Sequence, residues 1–234
     1  MCIDVGLRNL SICIMNSNYE ILLWDVFNVL DSDDYHCQGK FKNGKECGRK
    51  CTMKYIDKDS SFFTCATHFP KEITKTKANH FKKKSINEYL LQDIAKVVIQ
   101  RLNEIYNLNN EIFKQLNVVL IELQPKLNPK AVFTSHILYG KLVELYKDSS
   151  VIIKFVRASQ KLKAYTGPEI KCNLKGIYAQ RKWLSIEYCK WFLENKFSSE
   201  QKEKWLPLFL AHTKADDAAD SFLMAINAIT SKKT

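Results

Sequence analysis

The hydrophobic pattern opens as strands. Residues 2–5, 11–16 and 20–28 are apolar stretches of strand length, and the turn-forming run Asn16-Ser17-Asn18 divides the last two, so the start of the chain predicts an antiparallel three-stranded meander. The hydrophobicity then falls away over residues 31–84, a stretch holding four of the eight cysteines and three of the five histidines and closing in a lysine-rich run. It reads as an insert after the third strand. Order resumes at Ser85-Ile86-Asn87-Glu88, which has the form of a capping box. Tyr89, Leu90, Ile94, Val97, Val98 and Leu102 then recur at helical spacing, predicting a helix from Ser85 to about Asn107. Val118-Val119-Leu120-Ile121, ended by Glu122 and Pro125, reads as a strand buried on both faces, and residues 151–156 read as another. The helical stretch 131–146 between them makes a strand–helix–strand unit, which favours a parallel pair joined by a right-handed crossover. Further helices are expected at 177–195 and from Thr213 to about Thr230. The sum is an α/β domain built on a mixed five-stranded sheet flanked by helices. Its predicted segments are 1–30 and 85–234, with residues 31–84 as a separate small subdomain.

Four acids occupy places that packing alone does not choose. Asp4 sits within the first apolar strand, where an unpaired carboxylate costs several kcal/mol on burial. Glu122 ends the central strand. Asp217 and Asp220, with Asp216 beside them, occupy the first turns of the last helix, after a cap expected at Thr213. Acids in a first helical turn complement the helix dipole, so an ordinary capped helix accounts for part of the group. It does not account for Asp4 or Glu122. Asp217 and Asp220 lie about 60° apart around a helix and share a side, but Asp216 and Asp220 satisfy the same geometry, so spacing leaves both pairings open. Ala219, Phe222, Leu223 and Ile226 form the opposite, apolar face, which would dock on the sheet. Hard oxygen donors on a rigid frame suit two Mg²⁺ or Mn²⁺ ions of the kind that activate water in phosphodiester cleavage.

Charge strengthens that reading. The 234 residues carry 36 basic and 25 acidic side chains, a formal charge of +11, which points to an acidic partner such as a nucleic-acid backbone. Cations gather at Lys71, Lys75, Lys77, Lys82, Lys83 and Lys84, and again at Lys154, Arg157, Lys161, Lys163, Lys171, Lys175, Arg181 and Lys182, where Tyr165 and Tyr178 are interspersed. Neither run has the features of a base-reading helix, so phosphate contacts should dominate binding. No apolar run approaches the ~20 residues of a membrane span, and the first residues lack the features of a secretion signal, so a soluble intracellular protein is expected.

Three segments carry a resemblance: Asp4-Val5-Gly6-Leu7-Arg8-Asn9-Leu10, Ile121-Glu122-Leu123-Gln124-Pro125, and Lys214-Ala215-Asp216-Asp217-Ala218-Ala219-Asp220-Ser221. Together they resemble the three acidic motifs of the RuvC-like Holliday junction resolvases of the RNase H-like superfamily, above all the poxvirus-type resolvases of large DNA viruses. The resemblance spans nearly all of the chain except the insert. It implies an RNase H-like fold, Mg²⁺ (or Mn²⁺) bound by Asp4, Glu122, Asp217 and Asp220, and Asp216 as a neighbour only. It also implies a basic residue opening the long penultimate helix, matched best by Lys182, that assists at the scissile phosphate. A viral enzyme of this kind would work in the host cytoplasm.

The insert offers Cys37, Cys47, Cys51, Cys65 and His68, with His36 alongside. Such a cluster in an intracellular chain points to zinc rather than disulfides. Cys65-Ala66-Thr67-His68 supplies one tight knuckle, and Gly39 and Gly44 allow a hairpin between Cys37 and Cys47. Resemblance to the inserts of related viral resolvases implies a structural Zn²⁺ held by Cys37, Cys47, Cys65 and His68, with Cys51 spare. Cys2, Cys13, Cys172 and Cys189 read as small core residues.

The expected activity is therefore a metal-dependent endonuclease that nicks four-way DNA junctions symmetrically. Symmetric nicking requires two active sites about a two-fold axis, hence a homodimer, for which the helix after the insert is a candidate contact. Two other functions fit some of the same features. One is an RNase H-like nuclease acting on RNA–DNA hybrid or flap DNA; the other is a non-catalytic, zinc-stabilised DNA-binding protein.

Overall fold

The computed structural model describes residues 1–30, 35–81 and 85–231, so Lys82, Lys83 and Lys84 of the first basic run lie outside the described residues. The elements are β1 (Cys2–Val5), β2 (Asn9–Met15), β3 (Ile21–Asn28), β4 (Met53–Asp57), β5 (Ser60–Thr64), α1 (Leu91–Leu108), α2 (Asn110–Lys114), β6 (Val118–Leu123), α3 (Pro129–Leu145), β7 (Ile152–Arg157), α4 (Ile177–Asn195), α5 (Ser199–Ala211) and α6 (Ala215–Thr230). They fall into two compact units, Met1–Leu30 with Leu90–Thr234, and Asp31–Tyr89.

The larger unit holds a mixed five-stranded sheet in the order β3-β2-β1-β6-β7, antiparallel through β3, β2 and β1 and parallel through β1, β6 and β7. This is the α/β architecture that the residue pattern predicts. In the register Cys2 lies beside Leu120 and Ile3 beside Ile121. Strand alternation therefore puts Cys2, Asp4, Leu120 and Glu122 on one face of the sheet, and Ile3, Val119 and Ile121 on the other. The second face is covered by α3, against which α1 packs, and Ile94, Leu102, Leu138 and Leu142 of these helices are fully buried. The first face is covered by α6, whose Ala219, Phe222, Leu223 and Ile226 are wholly buried.

Trp24 on β3 locks that packing. Its ring stacks on Phe209 of α5 at 5.1 Å and lies 5.0 Å from Phe222, and its Nε1 donates to the Ala218 carbonyl at 2.9 Å. A buried hydroxyl pair, Ser11 and Ser221 at 2.7 Å, joins β2 to the same helix. The first turns of α6, where the acids lie, are thus fixed on the sheet by both apolar and polar contacts.

Several local expectations need correction. Ser85 does close a capping box with Glu88, but the box caps a single 3₁₀ turn, Ile86–Glu88, and the α-helix begins only at Leu91. The apolar face of α1 (Ile94, Val98, Leu102, Ile105) is buried. Strand β7 is a half-exposed edge rather than a doubly buried strand, and Ile152 and Lys154 on it are exposed. The last helix starts at Ala215 with Lys214 as its cap residue; Thr213 is exposed, and the Lys214 N–H is taken by His212 Nδ1 at 3.2 Å. The residue pattern does not predict helix α5, because Pro207 interrupts its sequence and its pattern is weakly amphipathic.

The smaller unit contains the β4–β5 hairpin, turned by Lys58 and Asp59 at positive φ. Tyr55 stacks on Phe62 at 5.2 Å and Tyr35 on Phe63 at 3.9 Å, so aromatic pairs form much of its small core.

Candidate metal centre and the Cys–His cluster

Asp4 and Glu122 reach the same place because β1 and β6 are parallel neighbours, and Asp220 comes down on them from α6. Their meeting point is Lys161, in the 3₁₀ segment Ala158–Ala164 that follows β7. Its Nζ lies 3.2 Å from Asp4 Oδ1, 3.0 Å from Glu122 Oε1 and 2.8 Å from Asp220 Oδ2. The lysine side chain is only 8% exposed, which a lysine tolerates when fully paired. Asp217 takes a different partner: Asn9 Nδ2 donates to its Oδ2 at 3.1 Å. Asp216 turns away and bonds Lys182 Nζ, which also lies 5.3 Å from the Tyr178 ring. The two adjacent acids that spacing could not separate are therefore held by different elements.

Protonation follows from this crowding. Burial, then the Glu122 carboxylate, push Asp4 up to about 8 against the opposing charge of Lys161. Burial pushes Asp220 up to about 6, again opposed by Lys161 and assisted by Asp4 and Asp217. Asp217 is raised by burial and by Asp216, with the Asn9 hydrogen bond acting against the shift. Desolvation works against the Lys161 ammonium, but Asp4, Asp220 and Glu122 outweigh it and its value rises. Asp216 is lowered, because Lys182 overcomes the cost of its burial. One ammonium does not satisfy the cluster: the two most buried aspartates still resist ionisation. The donor set is all carboxylate oxygen and short of positive charge, which is what a divalent hard cation requires.

Lys161 lies at this cluster, whereas the sequence pattern marks it only as one cation of a DNA-facing run. The lysine expected at the centre, Lys182, is 41% exposed and bonded to Asp216. Of the same run, Lys154, Arg157, Lys163, Lys171, Lys175 and Arg181 are exposed. Tyr165 stacks on Tyr188 at 3.8 Å and so belongs to the scaffold, whereas Tyr178 is 74% exposed.

In the smaller unit Cys37, Cys47, Cys65 and His68 come together with their ligand atoms all within 4.8 Å of one another. Cys37 Sγ is 3.4 Å and Cys65 Sγ 3.5 Å from His68 Nδ1, and Cys47 and Cys65 sulfurs are 3.9 Å apart. A hairpin brings Cys47 back to Cys37: Cys47 N–H donates to the Gly39 carbonyl at 2.9 Å, and Gly44 turns the chain at φ 79°. Gly39 has no room for a side chain, since a Cβ there would stand 2.5 Å from His68 Cβ. Burial disfavours the Cys65 thiolate, but the backbone N–H groups of His68 and Thr67 and the thiols of Cys37 and Cys47 outweigh it, lowering Cys65 to about 6. A thiolate ready at neutral pH is the form that binds a metal. Cys51 is buried and lies outside the four; burial and the neighbouring thiols raise it.

No family model matches the chain. An uncharacterised protein of Acanthamoeba polyphaga mimivirus is 27% identical over 218 residues, covering 85% of this chain; the chain spans half the length of that relative. Solved structures similar to this chain include Holliday junction resolvases. The yeast mitochondrial resolvase Ydc2 aligns over 97% of this chain and 77% of its own, at TM-score 0.48 and 15% identity. Thermus thermophilus RuvC in complex with a Holliday junction substrate aligns over 98% and 94%, at 0.45 and 10%. Fowlpox virus resolvase in complex with junction DNA aligns over 98% and 97%, at 0.41 and 17%. No helix among the described residues is long and apolar enough to cross a membrane.

Proposed function

We propose that the larger unit is a metal-dependent endonuclease that resolves four-way DNA junctions, with Asp4, Glu122, Asp217 and Asp220 as its Mg²⁺ ligands. The observation that carries this is the convergence of Asp4, Glu122 and Asp220, from three separate elements, on one buried lysine within 3.2 Å. Four carboxylates, once ionised, outnumber the one ammonium by three, a deficit of positive charge that divalent cations would offset. A bound pair of such ions supplies an activated water and a counter-charge for the leaving oxygen.

The chain's own residues divide the remaining work. Lys161 holds three carboxylates in convergence and would supply internal counter-charge beside the metals. Lys182, held by Asp216 at the opening of α4, would reach a phosphate oxygen next to the cluster. Exposed Lys154, Arg157, Lys171, Lys175 and Arg181 would follow the DNA backbone. The four-way junction is taken from the motif resemblance, and symmetric resolution makes a homodimer part of the same proposal. Host cytoplasm is the proposed place of action.

The smaller unit is proposed to hold one structural Zn²⁺ on Cys37, Cys47, Cys65 and His68. A sulfur–sulfur separation of 3.9 Å and sulfur–nitrogen separations of 3.4 and 3.5 Å suit Zn–S bonds of about 2.3 Å in a tetrahedron. Four protein ligands leave no open position for water, so this ion would stabilise the fold and take no part in cleavage. The test of the whole reading is nick mapping on an immobile junction, beside linear duplex and RNA–DNA hybrid.

A further inference from the structure

Three of the four proposed ligands share Lys161. The fourth, Asp217, depends on Asn9, the first residue of β2. The turn that delivers Asn9 is rigid for a reason visible in its backbone. Gly6 N–H donates to the Asn9 carbonyl at 2.9 Å, and a Cβ on residue 6 would stand 2.5 Å from that same oxygen, so only glycine closes the turn. One residue earlier, the Arg8 carbonyl accepts from Val29 N–H at 2.6 Å, and Asn9 itself faces Asn28 across β2 and β3. The side-chain amide is therefore presented to α6 from a frame tied at both ends. An amide nitrogen can only donate to a carboxylate. It occupies Oδ2 of Asp217, and next to it Lys182 draws Asp216 to the other side.

Resting on the reading of Asp217 as a metal ligand, we propose that Asn9 is a positioning residue that fixes the Asp217 carboxylate by one oxygen and leaves the other for the metal. The Asp4-Val5-Gly6-Leu7-Arg8-Asn9 segment then contributes twice to one centre: Asp4 directly, and Asn9 through Asp217. Gly6 sets the distance between them.

The experiment is calorimetric titration of the zinc-replete, Mg²⁺-free full chain with Mn²⁺, without DNA. It compares wild type, Asn9→Leu, Asp217→Asn and the double variant, with melting temperatures before and after metal. Asn9→Leu should melt as wild type does in the absence of metal, bind Mn²⁺ about 10- to 100-fold more weakly, and add nothing to the loss already caused by Asp217→Asn. Wild-type affinity in Asn9→Leu, or a loss that adds in full to that of Asp217→Asn, would overturn the inference while leaving the metal centre standing. A wild-type chain that takes up no Mn²⁺ would remove the metal centre itself, and the role of Asn9 with it. If Asn9→Leu does not fold, Asn9→Ala carries the same comparison.

Discussion

Lys161 Nζ lies 2.8 Å from Asp220 Oδ2, an ion pair between the turn after β7 and the first turns of α6. It fastens the helix that carries two proposed ligands to the sheet that carries the other two. The same ammonium bonds Asp4 and Glu122, so the lysine acts as the internal counter-charge of the cluster before any cation enters.

Removing that ammonium should separate stability from metal affinity. Lys161→Met leaves buried carboxylates uncompensated, a loss on the order of 3–5 kcal/mol at neutral pH. The melting temperature of the zinc-replete, Mg²⁺-free protein should fall, Mg²⁺ should restore more of it than in wild type, and cleavage should drop by at least ~10²-fold. Thermal melts with and without Mg²⁺, beside single-turnover rates, check this. A variant as stable as wild type without Mg²⁺ would contradict the counter-charge role.

The raised aspartates give a pH dependence of definite sign. Asp4 is held near 8 and Asp220 near 6, both above the value of about 3.9 for a carboxyl in the unfolded chain. The folded state therefore keeps protons that the unfolded state releases, so without Mg²⁺ the contribution of these two groups to stability is greatest in acid and falls as pH rises from about 4 through 8. Ionisation makes the cluster a better cation site over the same window, so the Mg²⁺-induced rise in melting temperature should be larger at pH 8 than at pH 5.5. Melting curves on that grid check both signs.

Stripping metal from the Cys–His cluster should act on the smaller unit. Zinc binding energies of about 10–16 kcal/mol are folding energy in small metal-held units. A strong chelator, or Cys65→Ser, should abolish the proposed zinc and the chemical-shift dispersion of residues 35–81, while Cys51→Ala should keep the zinc. Metal analysis and NMR spectra of the full chain read this directly.

The core behind the acids is equally exposed to test. Phe222 is fully buried against Trp24, Phe192 and Phe197, so Phe222→Ala should cost about 3–5 kcal/mol. Denaturant unfolding measures it. A loss below about 1 kcal/mol would mean that α6 is not anchored as described.

Much of this was legible in the residues. The sheet follows from runs such as Val118-Val119-Leu120-Ile121, whose apolar character has no other use, and Asp4 and Glu122 stand out because burial gives them no apolar reason to be there. Lys161 was not legible: it is one of eight cations in an aperiodic stretch, and its partner Asp4 is 157 residues away. The edge position of β7 was hidden because an apolar run signals burial without saying how many faces are covered. Asp216 and Asp217 could not be told apart by helical spacing, since their separate partners, Lys182 and Asn9, come from distant elements.

The most direct measurement is nicking of an end-labelled immobile four-way junction in Mg²⁺, mapped on all four strands, beside linear duplex and RNA–DNA hybrid. Asp220→Asn and Glu122→Gln serve as controls. Paired nicks at symmetric positions, lost by about 10³-fold or more in both amide variants, are the predicted result. An intact junction in Mg²⁺ and Mn²⁺, or cleavage unchanged in both variants, would contradict the account.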